Sequence, residues 1–199
     1  MKLFDYQMHT RSTAIYPGAT ECTPLGIAYC ALGLSSEVTE SSTAWRLRTA
    51  TDFESNAIEE LKDVMWYAAR LADELGISLR HAVHVYSGRD SETFGDIQRH
   101  IKSPGITNNH VAVDTRLSRL NEASGDLAGM VKKVIRDTDG TLDAKRYRDL
   151  SRQIGAVLSG ACVIMVRLGK DLDEAAQENL DKLNDRKARG VISGSGDKR

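Results

Sequence analysis

The stretch EELKDVMWYAARLADELGISL, residues 59–79, has the apolar spacing of an amphipathic helix. Its apolar residues recur at steps of three and four, which places them on one broad face. Glu60 and Asp63 lie at the N-terminal edge of that face. Residues three apart on a helix point the same way, so the pattern brings two carboxylates together beside an apolar surface. Such an arrangement is typical either of a solvated helix edge or of half a metal site.

The composition of the 199-residue chain favours a soluble globular protein. Hydrophobic residues make up 41% of the chain, which is enough for a substantial core, and the net charge is −1. This balance provides no strong field for a nucleic acid polymer or a membrane surface. The three cysteines are too few and too scattered for a disulfide framework or a thiolate metal site. The N-terminal MKLFDYQMHTR has no apolar leader, so we expect a cytoplasmic location.

Helical periodicity extends along most of the chain, and no stretch alternates with period two. The sequence therefore predicts an all-α fold. The most apolar run, residues 154–166, is shorter than a bilayer span and predicts a buried helix. The segments 86–95 and 102–110 are rich in turn residues, and the tail 190–199 is rich in glycine and serine. The predicted helices cover residues 3–13, 23–47, 53–75, 92–102, 112–136, 143–168 and 171–188.

The two halves of the chain resemble each other. Residues 61–82 align without gaps on 154–175 with six identities, including a shared L-G-x-x-L break. The preceding helices also correspond, with residues 34–40 aligned on 120–126. We interpret this as a duplicated αα-hairpin. Two such hairpins bury faces that neither can bury alone, so the prediction is a four-helix-bundle core, or pseudo-dimer, within a single domain.

The predicted halves, 1–90 and 110–199, differ in their acidic residues. The first half carries Glu37 and Glu40 on one helix, then Glu60 and Asp63 on the next. The second half has lost both pairs, with these replacements in order along the chain: Ala123, Asp126, Gln153 and Ala156.

Four carboxylates brought together by two antiparallel helices predict a site for a hard divalent cation. Glu37, Glu40, Glu60 and Asp63 would repel one another and raise one another's pKa, and a bound cation would relieve that repulsion. Oxygen ligands favour Mg²⁺, with Mn²⁺ as a substitute, and the lack of a His/Cys cluster argues against zinc. Acids at this spacing are more often solvated helix faces, so the spacing alone leaves both interpretations open.

This pattern resembles the MazG-like family of all-α nucleoside triphosphate pyrophosphohydrolases. The family motif is E-x-x-E on one helix and E-x-x-D on the next. Here it is Glu37-x-x-Glu40, nineteen intervening residues, and Glu60-x-x-Asp63. The sequence after the second pair, DVMWYAARLADELGISL, is close to the family's DVLWYLAALAxxLGISL.

The resemblance extends to both ends of the chain, with two departures inside the motif. Tyr6–Gln7 and TAIYP at 13–17 are similar to a phage and bacterial branch, as is the ending at 179–199. Thr39 and Lys62 occupy positions where the family usually has glycine.

The resemblance implies a Mg²⁺-dependent enzyme that splits a nucleoside triphosphate into a monophosphate and pyrophosphate. It implies that Glu37, Glu40, Glu60 and Asp63 hold the metal, with Glu40 the first choice of general base and Glu37 the second. The substrate phosphates would be bound by cations of the second half, acting across a monomeric pseudo-dimer or a homodimer. The candidate substrate-binding residues are Lys132, Lys133, Arg136, Asn179, Lys182 and Arg186.

A second hypothesis belongs to another class of function. The degenerate second half and the two motif departures are also compatible with a non-catalytic protein that binds nucleotides or other proteins. Pyrophosphate release with and without Mg²⁺ distinguishes the two hypotheses.

Overall fold

The computed structural model describes residues 1–47, 51–103 and 111–191. Within these ranges the chain is helical and forms no β-strand, as the periodicity predicts. A 3₁₀ turn at Arg11–Thr13 follows the first helix. The helices are α1 (Leu3–Thr10), α2 (Pro24–Arg46), α3 (Phe53–Glu74), α4 (Leu79–Ser87), α5 (Phe94–Lys102), α6 (Val111–Thr138), α7 (Ala144–Arg167) and α8 (Leu172–Ala188).

Side-chain caps define where five of these helices begin. Each cap oxygen accepts a hydrogen bond from a backbone N–H of the first turn, which the helix itself leaves unpaired. At α5 the cap is reciprocal, because the Asp96 side chain also accepts from the backbone of the capping threonine. The capping residues are Thr23, Ser78, Thr93, Asp143 and Asp171.

The sequence predicts seven of the helices and misses α4. The missed helix ends inside the segment 86–95, which is rich in turn residues. It begins at the Ser78 cap, buries Leu79, Ala82 and Val83, and ends at Gly88 with a φ of 67°. Because three buried residues in a short segment give only a weak periodic signal, the cap was the clearer indication.

The two L-G-x-x-L breaks have the same backbone structure. Gly76 and Gly169 both have positive φ, a conformation that glycine adopts without a Cβ penalty. After Gly76 the next amide donates to the carbonyl oxygen of Ala72 at 2.8 Å, and after Gly169 the Lys170 amide donates to Met165 at 2.9 Å. Both are Schellman motifs, and in both the cap of the next helix follows two residues after the glycine.

The helices pack around one continuous apolar core. α2 lies against α3 and α6, while α7 lies against α3 and α6 and is crossed by α4. The crossing of α4 over α7 is close, because a Cβ on Gly155 would lie 2.1 Å from the carbonyl oxygen of Ala82. α8 packs on α3, α5 and the N-terminal helix.

Among the described residues, α7 is the helix long and apolar enough to cross a membrane. Its most apolar window is 56% buried inside the fold, which is the burial of a core helix. The prediction of a buried helix at 154–166 is confirmed by Ile154, Leu158 and Met165, which are fully buried.

Candidate metal centre

Three of the four predicted acids form a cluster between α2 and α3. Glu37 of α2 and Glu60 and Asp63 of α3 each contribute one carboxylate oxygen, and these oxygens lie within 4.8 Å of one another. We call these three residues the acid triad. In an octahedral Mg²⁺ shell with bonds of about 2.1 Å, neighbouring and opposite oxygens are roughly 3.0–4.2 Å apart. Small side-chain rotations would therefore bring the triad to that spacing, and the all-oxygen set suits Mg²⁺.

Burial and like charge act together on Glu37. Burial is the larger effect, followed by the negative charges of Asp63, Glu40 and Glu60, and together they raise the pKa of Glu37 to about 9. Glu37 also shares a hydrogen bond with Glu60. At neutral pH the metal-free triad therefore retains a proton on Glu37, in the place where a divalent cation would neutralise the charge.

The carboxylate of Asp63 is held by two side chains of α8. Asn179 Nδ2 donates to Oδ1 at 2.8 Å, and Lys182 Nζ donates to Oδ2 at 2.8 Å. Lys182 also lies 3.6 Å from Glu59. The structure therefore brings two of the predicted substrate-binding residues to the edge of the acid triad.

Lys62 is buried beside the triad, at a position where the resemblance leads one to expect glycine. Its ammonium lies 2.5 Å from Glu59 and 3.1 Å from Glu178. Glu178 also pairs with Lys170 at 2.7 Å. Lys62 thus joins α3 to α8, which gives this departure a structural role.

Glu40 lies outside the acid triad. It is exposed, one turn after Glu37 on α2, and its carboxylate accepts a hydrogen bond from Ser36 at 2.7 Å. Its charge is close enough to contribute to the raised pKa of Glu37. Its geometry therefore differs from that of the other three acids.

A cavity of about 130 Å³ opens beside Glu37 and Asp63. Four of its ten lining residues are aromatic, and Arg186 of α8, which is almost fully buried, contributes the positive charge. The aromatic rings form a continuous group, with Tyr16 stacked on Tyr29 at 4.9 Å. The residues that line the cavity are Thr13, Ile15, Tyr16, Tyr29, Glu37, Asp63, Trp66, Tyr67, Leu183 and Arg186.

Gly33 sets the distance between α2 and the cavity wall. A Cβ at this position would lie 2.2 Å from Tyr67 Cε1, so only glycine leaves room for the tyrosine ring as it is placed. The close approach of the two helices here lies one turn before Glu37.

A buried charge network holds Tyr16 in the cavity wall. Arg70 is fully buried, and it donates to Tyr16 Oη at 3.1 Å, to Asp73 at 2.8 Å and to Glu74 at 2.9 Å. Glu74 in turn accepts from the Tyr16 hydroxyl at 2.6 Å and from the backbone amide of Thr20 at 2.7 Å. No local sequence pattern indicates this network, because its members come from an irregular N-terminal segment and the far end of α3.

The cations of α6 lie on a different face of the structure. Lys132 and Arg136 line a separate groove against Ala28 and Leu32 of α2. Ala28 is nine residues from Glu37, which on a helix is a rotation of about 180°. Arg136 is exposed and pairs with Asp137, and Lys133 is exposed. Within one chain, therefore, these three residues are not brought to the acid triad.

Within residues 111–191, the second half forms no acid triad of its own. Gln153 donates instead to the backbone carbonyl of Ala123 at 2.9 Å. Across residues 1–47, 51–103 and 111–191, Glu37, Glu60 and Asp63 make up the one group of His, Cys, Asp or Glu side chains with the spacing of metal ligands.

The sequence of the chain is similar to that of a phage protein. It is 41% identical to the "Gene 37 protein" of Mycobacterium phage L5 over 76 residues, which are 38% of this chain and 67% of the phage protein. No protein-family model matches the chain. No solved structure matches it either. The chain belongs to the same family as this phage protein, whose name states no activity.

Proposed function

We propose that the chain is a Mg²⁺-dependent nucleoside triphosphate pyrophosphohydrolase of the MazG-like type. One observation carries the proposal: the acid triad stands at an aromatic cavity and is bordered by Asn179, Lys182 and Arg186 of α8. Carboxylates that can bind a metal ion thus lie close to basic side chains that can bind phosphates. Aromatic rings that can stack on a base lie beside both.

The dimensions of the cavity fit part of a nucleotide. At about 130 Å³ it is smaller than the 300–1,000 Å³ of sites that enclose a drug-sized ligand, so it would take the base or sugar while the phosphates lie outside. Tyr29 is 42% exposed and offers for stacking the ring face that does not lie against Tyr16. The triphosphate would then run past the acid triad towards Lys182, which donates charge-assisted hydrogen bonds to anionic oxygens.

The proposed reaction is hydrolysis between the α- and β-phosphates. A water oxygen forms a bond to phosphorus, the bridging P–O bond breaks, and its electron pair leaves with pyrophosphate. The proton of the water passes to a carboxylate, for which Glu40 is suited because it is exposed and lies one turn from the acid triad. Mg²⁺ held by the triad would neutralise charge on the polyphosphate. Lys182 and Arg186 would orient the phosphate oxygens.

The four long helices support a pseudo-dimer as the scaffold. α2 contacts α3 and α6, and α7 contacts the same two helices, which is the neighbour pattern of a four-helix bundle. The identical Schellman breaks after α3 and α7 support a duplication of the α2–α3 hairpin. In this arrangement the first half supplies the acids and α8 of the second half supplies the cations.

The test is pyrophosphate release from a panel of nucleoside triphosphates, with and without Mg²⁺. Glu60→Gln is expected to abolish the Mg²⁺-dependent release and to weaken Mn²⁺ binding measured directly. Glu54→Gln on the same helix is the matched control, because Glu54 is exposed in the first turn of α3 and outside the acid triad. Full turnover by Glu60→Gln would refute the proposal.

The second candidate is a nucleotide-binding protein without catalysis. It is favoured by the contacts of Asp63, whose two carboxylate oxygens are already engaged by Asn179 and Lys182. If these contacts persist with nucleotide bound, Asp63 is a structural link between α3 and α8. Nucleotide binding that is independent of Mg²⁺ and produces no pyrophosphate would establish this candidate.

A further inference from the structure

We propose that Tyr6 of α1 is a positioning residue of the acid triad, acting on Asp63 through Asn179. This inference rests on the proposed function, since it concerns the same site. Two hydrogen bonds in series carry it. The Tyr6 hydroxyl donates to Asn179 Oδ1 at 2.9 Å, and Asn179 Nδ2 donates to Asp63 Oδ1 at 2.8 Å.

This pair of hydrogen bonds is held rigidly, because Tyr6 and Asn179 are buried in the core. Tyr6 and Asn179 both have no solvent exposure, although they lie 173 residues apart in the sequence. The Tyr6 ring also packs edge-on against Phe94, with ring centroids 5.2 Å apart. The hydroxyl therefore has a fixed position against which the amide of Asn179 is oriented.

The Asp63 carboxylate and the Tyr6 phenol together fix the orientation of the Asn179 amide. Burial, followed by the negative charge of Asp63, raises the pKa of Tyr6 well above its ordinary value, so the hydroxyl keeps its proton and donates. The Asp63 carboxylate only accepts hydrogen bonds, so it takes the NH₂ group of Asn179, and the amide oxygen then faces the donating phenol. The flipped amide would set an oxygen against the carboxylate and lose the hydrogen bond to Asp63.

The contacts of Asn179 and Lys182 with Asp63 respond differently to a bound divalent cation. The ammonium of Lys182 repels a divalent cation at Asp63, so this contact must lengthen or break. The neutral amide of Asn179 carries no such repulsion and can keep its hydrogen bond. Asn179, fixed by Tyr6, is thus the contact that holds the Asp63 carboxylate in a metal-binding orientation.

The experiment measures Mn²⁺ affinity of the full-length protein directly, by electron paramagnetic resonance of the free ion. Tyr6→Phe keeps the ring contact with Phe94 and removes only the hydroxyl. Removing partners that orient metal ligands typically costs 10–100-fold in affinity, and Tyr6 acts one step further away, so we expect a loss of about 3–30-fold. The Mg²⁺ concentration for half-maximal turnover should rise by the same factor, and kcat at saturating Mg²⁺ should return close to the wild-type value.

Thr10→Val on the same helix is the matched control. Its hydroxyl is fully buried like that of Tyr6, but it donates only to the backbone carbonyl of Gln7 at 2.8 Å. Thr10→Val should lower thermal stability without changing Mn²⁺ affinity. A general loosening of α1 would instead affect both variants.

A double-mutant cycle tests whether Tyr6 acts through Asn179. In an Asn179→Ala background, Tyr6→Phe should cause no further loss of Mn²⁺ affinity. Wild-type affinity in Tyr6→Phe, or an undiminished effect of Tyr6→Phe in the Asn179→Ala background, would overturn the inference while the proposed function stands. A wild-type protein that binds no Mn²⁺ would overturn the metal centre itself and the inference with it.

Discussion

The raised pKa of Glu37 makes metal binding dependent on pH in a way that can be measured. With a pKa of about 9, Glu37 is almost fully protonated at pH 7 in the metal-free protein. Metal ligands must be deprotonated, so each cation bound should release about one proton. The apparent affinity should then rise about tenfold per pH unit below pH 9, or about a hundredfold from pH 6 to pH 8.

The sign of the stability effect follows from the same shift. Because the pKa of Glu37 is raised in the folded state, its contribution to stability is complete below its unfolded value near 4.5. That contribution is lost as the pH rises from there through about 9, since the folded protein must then ionise a buried carboxyl beside other acids. We expect the melting temperature of the metal-free protein to fall across this interval, and saturating Mn²⁺ to reverse much of the fall.

Titration calorimetry in two buffers of different ionisation enthalpy counts the released protons. At pH 7 the wild type should release about one proton per Mn²⁺, and Glu37→Gln should release about one fewer and show a flatter pH dependence. Glu54→Gln, which leaves the acid triad intact, should behave as the wild type does. A wild-type release well below half a proton would refute the reasoning, as would an equal release from Glu37→Gln.

Four further measurements test the site and the fold. Glu40→Gln should keep Mn²⁺ affinity within about threefold yet lower kcat by ~10²–10⁴, as expected for a general base and not for a ligand. Lys182→Met should reduce kcat/KM by ~10–100-fold in steady-state assays, whereas Lys132→Met, which removes the same charge from the separate groove, should leave kinetics unchanged. Gly155→Ala should destabilise the fold by ~2–3 kcal/mol, seen as a fall in melting temperature of ~4–12 °C, because its Cβ meets a backbone carbonyl of α4. Crystals soaked in Mn²⁺ should show no anomalous density beside Gln153, and density there would contradict the loss of the second site.

The helices could be predicted from sequence to the extent that their own periodicity defines them. A regular apolar face predicts α3, and in the structure this helix begins at the predicted residue. α4 has too few apolar residues for such a signal and gains its stability from crossing α7 at Gly155, 73 residues after Ala82 in the chain. A contact of that kind leaves no trace in the local pattern.

The site was predictable in part for the same reason. Spacing places Glu60 and Asp63 on one face of α3, so their proximity follows from helical geometry. Spacing treats Glu37 and Glu40 alike, and only the packing of α2 on α3 turns the first towards the acid triad and leaves the second exposed. The contribution of Tyr6 depends on a partner 173 residues away, which no local pattern can indicate.

The proposed duplication also explains why the cations come from α8 and not from α6. α4 follows the Schellman break of the first half as α8 follows that of the second half. In the proposed pseudo-dimer, each of these helices packs on the hairpin of the opposite half, α4 on α7 and α8 on α3. The helix that follows each hairpin would therefore supply side chains to the hairpin of the other half.

This crossed arrangement predicts what the lost site should contain. The offset that overlays Glu60 on Gln153 and Asp63 on Ala156 also overlays Asn179 on Tyr86. The structure places Tyr86 accordingly, since its Cβ would lie 2.8 Å from a Cβ on Gly155, next to Ala156. Under the proposed duplication, the second site would have lost its acids and, from the opposite half, the amide that would have oriented them. Because the amide has no use without the carboxylate it holds, the loss of both is what we expect if Asn179 serves Asp63 at the retained site.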